Sequence, residues 1–217
     1  METLPLTSPL EVRRLGRVPY AEALALQEEL RERLARGEIG ETILLLEHPD
    51  VVTFGRGAKP ESALATDTEL RHRGYDVFRV GRGGAATWHG PGQLVGYPIL
   101  DLRRHGADVH RYLRDLEAVL IAALADFGIE ARRRDGFAGV WLDDRRKIAS
   151  IGVGVRGWRT VHGFALNVDC DLDRFAAIVP CGLAGVEMVS MARVLGHGVE
   201  LDRVAASVEE KLRKVFA

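Results

Sequence analysis

The sequence predicts an α+β fold: one domain over residues 1–217, with a mixed, largely antiparallel sheet flanked by helices. Three observations carry this. Three strand-like runs, GVWLDD, RRKIASIGVGVRG and WRTVHGFALNV, follow one another between Gly139 and Val168 with only short turns between them, as in an antiparallel meander. Segments of helical period stand elsewhere, but they do not alternate strictly with strands, so a parallel βαβ sheet is not indicated. The 217 residues, 47% apolar and 28% charged, suffice for one sizeable core, and no repeat, linker or low-complexity tract divides them.

The elements follow in order. YAEALALQEELRERLARG carries apolar residues at helical spacing and a glycine stop at Gly37. ETILLLEH (41–48) is an apolar run of strand length. YDVFRV (75–80) reads as a strand leading into a glycine-rich stretch, and QLVGYPILDL (93–102) as another strand. Asp108 is placed to cap a helix over VHRYLRDLEAVLIAALADF that ends at Gly128. After the meander, DLDRFAAI and SMARVLG read as short helices, the second capped by Ser190, and a last helix runs from about Leu201 to Phe216.

Composition excludes several functions. No run reaches the roughly 18 apolar residues of a membrane span. The N-terminus lacks the apolar stretch of a signal peptide. Cys170 and Cys181 make no disulfide framework, so a cytoplasmic chain with free thiols is expected. A net charge of −1 provides no field for nucleic acid or membrane.

The motif tests begin with RGGAATWHGPGQ (82–93). GRGGAA matches a dinucleotide-binding pattern, but that pattern must open a helix, and TWHGPGQ cannot continue as one. No metal-ligand spacing appears: the cysteines are eleven apart, and His105 and His110 are five apart. Cys181 lies in AAIVPCGLAG, a stretch without charge. A lone thiol is commonly a buried structural residue. Pro180 and Gly182 bracket this one, however, and a turn there can expose the thiol. Cys170 stands between Asp169 and Asp171, whose charges disfavour a thiolate.

Activation of Cys181 needs a cation from elsewhere in the chain. A unit charge at ~4 Å in an effective dielectric of ~20 contributes about 4 kcal/mol. Lowering a thiol by two pKa units takes only about 2.7 kcal/mol. Only four of the 30 basic residues are lysines: Lys59, Lys147, Lys211 and Lys214. The last two fall on the terminal helix pattern, facing solvent. Lys147 is the candidate, although beside Arg145 and Arg146 its spacing alone reads as a solvated turn lysine.

The blocks RGGAATWHGPGQLVGYPILDL, RRKIASIGVGV, HGFALNV and IVPCGL, in this order, resemble the octanoyltransferases of lipoic acid biosynthesis, and HPDVVTFGRG (48–57) resembles the family's early segment. The resemblance spans roughly Leu44 to Gly196. It implies the fold shared by lipoate and biotin protein ligases. It also implies transfer of an octanoyl group from acyl carrier protein to a specific lysine of lipoyl domains. The acceptors would be 2-oxoacid dehydrogenases and the glycine cleavage H protein. No cofactor is implied beyond the phosphopantetheine on the carrier.

Cys181 matches the family's thioester-forming nucleophile, and Lys147 the lysine that lowers its pKa. Arg82, Gly83, Gly84, Ala85, Ala86, Thr87, Trp88 and His89 match segments lining the acyl group. So do Ser150, Ile151, Gly152, Gly163, Phe164 and Ala165. Glycines here would let backbone lie along the chain, with His89 near the reacting end as an orienting or proton-transfer group. Seven methylene-type groups at about 0.8 kcal/mol each supply several kcal/mol of binding. The arginine clusters at 132–134 and 145–147 are candidate docking points for an acidic carrier. Rival activities on such a fold are an ATP-using ligase, a thioesterase and a non-catalytic carrier binder.

Overall fold

A computed structural model describes residues 9–59, 62–178 and 185–217. Eleven strands and five α-helices are found among them. The larger sheet has the order β1 (Glu11–Arg17), β2 (Thr42–Glu47), β6 (Gln93–Ile99), β10 (Arg159–Asn167), β9 (Arg146–Arg156), β8 (Phe137–Trp141) and β7 (Arg132–Arg134). β11 (Glu187–Met188) adds to β9 in parallel, Met188 opposite Lys147. β1 and β2 are also parallel, and the remaining pairs of this sheet are antiparallel. The sheet is therefore mixed and largely antiparallel, as expected.

The apolar run Thr42–Glu47 is continuous because both faces of β2 are covered. Ile43 and Leu45 pack toward α3 (Val109–Ala125) and α5 (Leu201–Phe216), whereas Leu44 and Leu46 pack toward α1 (Tyr20–Ala35). In α5, Val204, Val208, Leu212 and Phe216 fall at i, i+4, i+8 and i+12 and are all buried. The caps read from the sequence are present. The Asp108 carboxylate accepts from the N–H groups of His110 and Arg111, and the Ser190 hydroxyl from that of Arg193, which starts α4 (Met191–Leu195).

A smaller sheet was not foreseen. β3 (Val51–Phe54) lies between β4 (Asp76–Arg79) and β5 (Ala86–His89). β5 falls inside the glycine-rich stretch 82–93, over which no strand is expected from the sequence. Its four residues pair one to one with β3, from Val51 opposite His89 to Phe54 opposite Ala86. Also unforeseen were β1, β7, β11 and α2 (Asp67–His72), although TDTE over 66–69 spells the capping box that Thr66 and Glu69 form. DLDRFAAI is a 3₁₀ helix over Leu172–Ala177. Phe175 from it meets Trp88 edge to face in a separate apolar cluster beneath the small sheet.

Lys211, expected to face solvent, is largely covered and bonds Asp126 at 2.9 Å.

Candidate active site

A cavity of about 320 Å³ lies where β8, β9, β10 and β6 meet the loop 82–85 and the start of β5. It brings together residues far apart in sequence: Arg82 to Thr87, His89, Lys147, Ser150 to Gly152, and Gly163 to Ala165 all line it. Trp88 does not. Its side chain turns to the opposite face of β5, where the indole packs on Phe175 and donates to Asp50 at 2.9 Å. Strand alternation explains the exception, since Thr87 and His89 cannot share a face with Trp88. Cys181 lies outside the described residues.

The floor is made of small residues in register, Gly152 opposite Gly163 and Ser150 opposite Ala165. The glycines of the 82–93 stretch divide their tasks. Gly83 and Gly84 line the cavity, and the Gly83 N–H is held by the Val153 carbonyl at 2.8 Å. Gly90 instead leaves room for the Trp88 ring, and Gly92 for the backbone of Asp169.

Lys147 is 3% exposed, so it is not the solvated turn residue its neighbours suggested. Its side chain runs beside β8, donates to the Ala138 carbonyl at 2.9 Å and places its ammonium 4.9 Å from the Trp141 ring centroid. Gly139 makes room for it: a Cβ there would lie 2.5 Å from Lys147 Cε and 2.6 Å from the Ala149 carbonyl. Gly139 also has φ +121°.

The backbone of Gly139 is pinned by Glu117 from α3, whose carboxylate accepts its N–H at 3.1 Å and pairs with Arg114 at 2.7 Å and Arg133 at 3.2 Å. Gly139→Ala is therefore expected to destabilise the fold by about 1–3 kcal/mol. Crowding against Lys147 should also slow turnover. Urea denaturation with a turnover assay checks both, and unchanged turnover would separate Gly139 from the lysine.

At the other end, Arg82 is buried and spends its guanidinium on the scaffold. It donates to the Thr53 carbonyl at 2.7 Å, the Thr53 hydroxyl at 2.9 Å and the Gly83 carbonyl at 2.9 Å. It fixes the loop rather than only lining it.

Around it stand three buried histidines. Burial lowers His48 to about 4 and, with the nearby charge of His48, His89 to about 3. Burial and then the Arg82 charge lower His162 to about 4. Gln93 Nε2 donates to Asn167 Oδ1 at 2.9 Å, leaving Gln93 Oε1 to accept from His89 Nδ1–H at 2.7 Å. That fixes the His89 ring and makes it a neutral, oriented group, too weak a base to be the main proton acceptor. His48 bonds the Val18 carbonyl through Nδ1 and the Tyr97 hydroxyl through Nε2.

Tyr20, Tyr97, Leu113, Phe137, Ala138, Trp141, Val153 and His162 line the cavity without having been singled out. His162 had a signal, since it opens the HGFALNV block. It sits within β10 at φ +58°. That left-handed conformation costs about 1–2 kcal/mol for a residue other than glycine.

Cys170 is pushed up to about 12, first by burial and then by the charges of Asp169 and Asp171, so the expected direction holds with a different main cause. The arginine clusters are partly occupied. Arg133 serves Glu117, Arg134 stacks on Phe137 and Trp141, and Arg146 pairs with Asp143. His105 pairs with Glu41. Among the described residues no group of His, Cys, Asp and Glu is arranged to hold a metal, and no helix is long and apolar enough to cross a membrane.

Fold and cavity together have known counterparts. The architecture matches a putative lipoate protein ligase from T. acidophilum (TM-score 0.73, 17% identity, 96% of this chain and 85% of that one). It also matches a lipoate-protein ligase A bound with ATP (TM-score 0.72, 15% identity, 97% and 85%). Residues 19–213 match the lipoyl protein ligase A/B catalytic domain family. An octanoyltransferase of Rubrobacter xylanophilus is 49% identical over 219 residues, covering 100% of this chain and 98% of the relative. One from Syntrophotalea carbinolica is 49% identical over 199 residues, covering 92% and 90%. The chain belongs to the octanoyltransferase family and is an acyltransferase.

Proposed function

We propose that this chain takes an octanoyl group from octanoyl-acyl carrier protein, holds it as a thioester on Cys181, and passes it to the specific lysine of a lipoyl domain. The acceptors are the lipoyl domains of 2-oxoacid dehydrogenases and the glycine cleavage H protein. The observation that carries the reading is an ammonium buried in a cavity floored by Ser150, Gly152, Gly163 and Ala165. A thin aliphatic chain fits such a floor, and one cation at its end suits a thiolate. Further support comes from β11: seven residues after Cys181, Met188 pairs with Lys147.

The steps balance without a nucleotide or metal. Cys181 as thiolate adds to the carrier thioester carbonyl. The bond to the pantetheine sulfur breaks, and Lys147 gives that sulfur its proton. The neutral Lys147 then takes a proton from the acceptor lysine as its nitrogen attacks the new thioester. An amide forms and the Cys181 thiolate is released. His89 orients and stays neutral. The exposed side chain of Arg145, in the β8–β9 turn, is available to dock an acidic carrier, whereas Arg132 is paired with Asp144 at 2.8 Å.

Mass spectrometry after incubation with octanoyl-acyl carrier protein should show one octanoyl adduct, on Cys181 and not Cys170. The adduct should move to added lipoyl domain. Loss of the adduct to water alone would make the enzyme a thioesterase. Absence of an adduct, with transfer only when ATP and free octanoate are supplied, would make it a ligase.

A further inference from the structure

We propose that His162 is the acyl-length stop of this enzyme: its ring is the wall between the acyl cavity and a second cavity beyond it. The inference rests on the octanoyl-transfer reading and deepens it. His162 lines both cavities. The second, of about 400 Å³, is bounded by Leu24 and Gln27 from α1, Val155 from β9, and the guanidinium groups of Arg31, Arg56 and Arg156. The two cavities follow one another along the β9–β10 pair, where His162 stands opposite Val153.

Length supports the assignment. The Lys147 ammonium rests on the Ala138 carbonyl of β8. His162 stands on β10, two strands away in the sheet order β8–β9–β10 and two residues further along the strands than Ala138, a span of about 12 Å at the usual spacings. An octanoyl chain has seven C–C bonds of about 1.5 Å and spans about 9 Å in zigzag. With its thioester at a contact distance of about 3 Å from the Lys147 ammonium, such a chain would bring its last carbon to His162.

The backbone supports it as well. His162 keeps a left-handed φ of +58°, which glycine would adopt without strain. Gln27 holds it there, accepting the His162 N–H at 2.7 Å, and the ring meets Tyr97 edge to face at 6.4 Å. His162 Nδ1 is buried without a hydrogen-bond partner among the described residues, and so is Gln27 Nε2. A ring retained in a strained, incompletely bonded position points to a role for the ring itself. Behind it the second cavity sets Leu24 and Val155 beside Arg31, whose charge is neutralised by Glu28.

The test compares octanoyl- and dodecanoyl-carrier protein as donors to a lipoyl domain and reads the ratio of their kcat/KM values. His162→Gly removes the wall and the strain, and should raise the dodecanoyl-to-octanoyl ratio at least ~10-fold. His162→Asn, a residue that tolerates left-handed backbone, should give a smaller rise. Adding Leu24→Trp to His162→Gly should return the ratio toward the wild-type value, whereas Leu24→Trp alone should leave it unmoved. An unchanged ratio in folded His162→Gly and His162→Asn enzyme overturns the proposal. A rise that Leu24→Trp does not reverse overturns the second cavity as the destination of the tail. Wild-type enzyme unable to transfer octanoyl would instead defeat the reading of function.

Discussion

Lys147→Met is expected to cut octanoyl transfer by at least about 10³-fold while the protein stays folded, because the two effects of the ammonium separate. On the stability side, Lys147 is 3% exposed, and burying an ammonium is costly unless it is well paired. Methionine has a similar length and no charge. Its introduction leaves the Ala138 carbonyl without this donor, a loss of about 1–2 kcal/mol, while the desolvation cost disappears. The melting temperature should therefore move by no more than about 5 °C.

Chemistry is affected far more. A cation that lowers a thiol by two pKa units raises the thiolate-to-thiol ratio about a hundredfold, which takes an ordinary thiol at neutral pH from a few per cent thiolate to mostly thiolate, a gain of about 25-fold. Loss of a general acid–base group costs a further 10²–10⁴-fold, as an order of magnitude. Raising the pH distinguishes the roles. In Lys147→Met the first step, acylation of Cys181, should recover near pH 10, where the thiol ionises unaided. Discharge to the lipoyl domain should recover less, since no base replaces the lysine. Single-turnover kinetics with each half-reaction followed separately gives the answer. Activity within tenfold of the wild type at neutral pH would remove Lys147 from the mechanism.

What could be read in the sequence divides along a physical line. The β8–β9–β10 meander was legible because its turns are local: DDRR and RGW announce themselves. The helices α1, α3 and α5 were legible because a 3.6-residue period needs no partner to be seen. β3 and β5 were not, because each has only four residues and is made by pairing with a distant segment, and β1 was not, because EVRRLGR is mostly polar and takes strand form by pairing in parallel with β2. Val51–Phe54 becomes a strand only between Asp76–Arg79 and Ala86–His89.

The site shows the same division. Most of the residues carried over from the family blocks line one cavity, but their blocks said nothing of direction. Trp88 was grouped with its neighbours although strand alternation sends it to the other face. The burial of Lys147 was invisible beside Arg145 and Arg146, because it depends on Gly139 and, through it, on Glu117, thirty residues earlier in the chain. No local pattern marks His162 as strained, since its left-handed φ is held by Gln27 from α1.

Acid should destabilise this protein steeply as the pH falls from about 6.5 toward 4, with uptake of about three protons on unfolding. The groups responsible are His48, His89 and His162, lowered to about 4, 3 and 4. Unfolded histidine titrates near 6.5. Because the folded values lie below that, the native state binds fewer protons than the unfolded chain between these limits. Their stabilising effect is complete above about pH 6.5 and is lost as the pH falls toward 4. Each such group changes stability by about 1.4 kcal/mol per pH unit, so three acting together change it by about 4. Integrated downward from 6.5, the loss is about 4 kcal/mol at pH 5.5 and about 6 at pH 5, enough to unfold a domain at the lower end of the usual 5–15 kcal/mol. The groups also act on one another: the His48 and His89 rings are 5.8 Å apart, and Arg82 adds its charge to those of His89 and His162. Carboxylates do not account for this window, since those bound to arginine, such as Asp67 with Arg79, are held below the usual carboxylate range. Urea denaturation at pH 7.5, 6.5 and 5.5 measures the slope directly. His162→Asn should reduce it by about 1.4 kcal/mol per pH unit, one proton's worth, because asparagine does not titrate. A free energy of unfolding that stays flat from pH 7 to 5 would mean that these imidazoles are reached by water and protonate in the folded state, and that the cavity end at Arg82 is more open than its packing indicates.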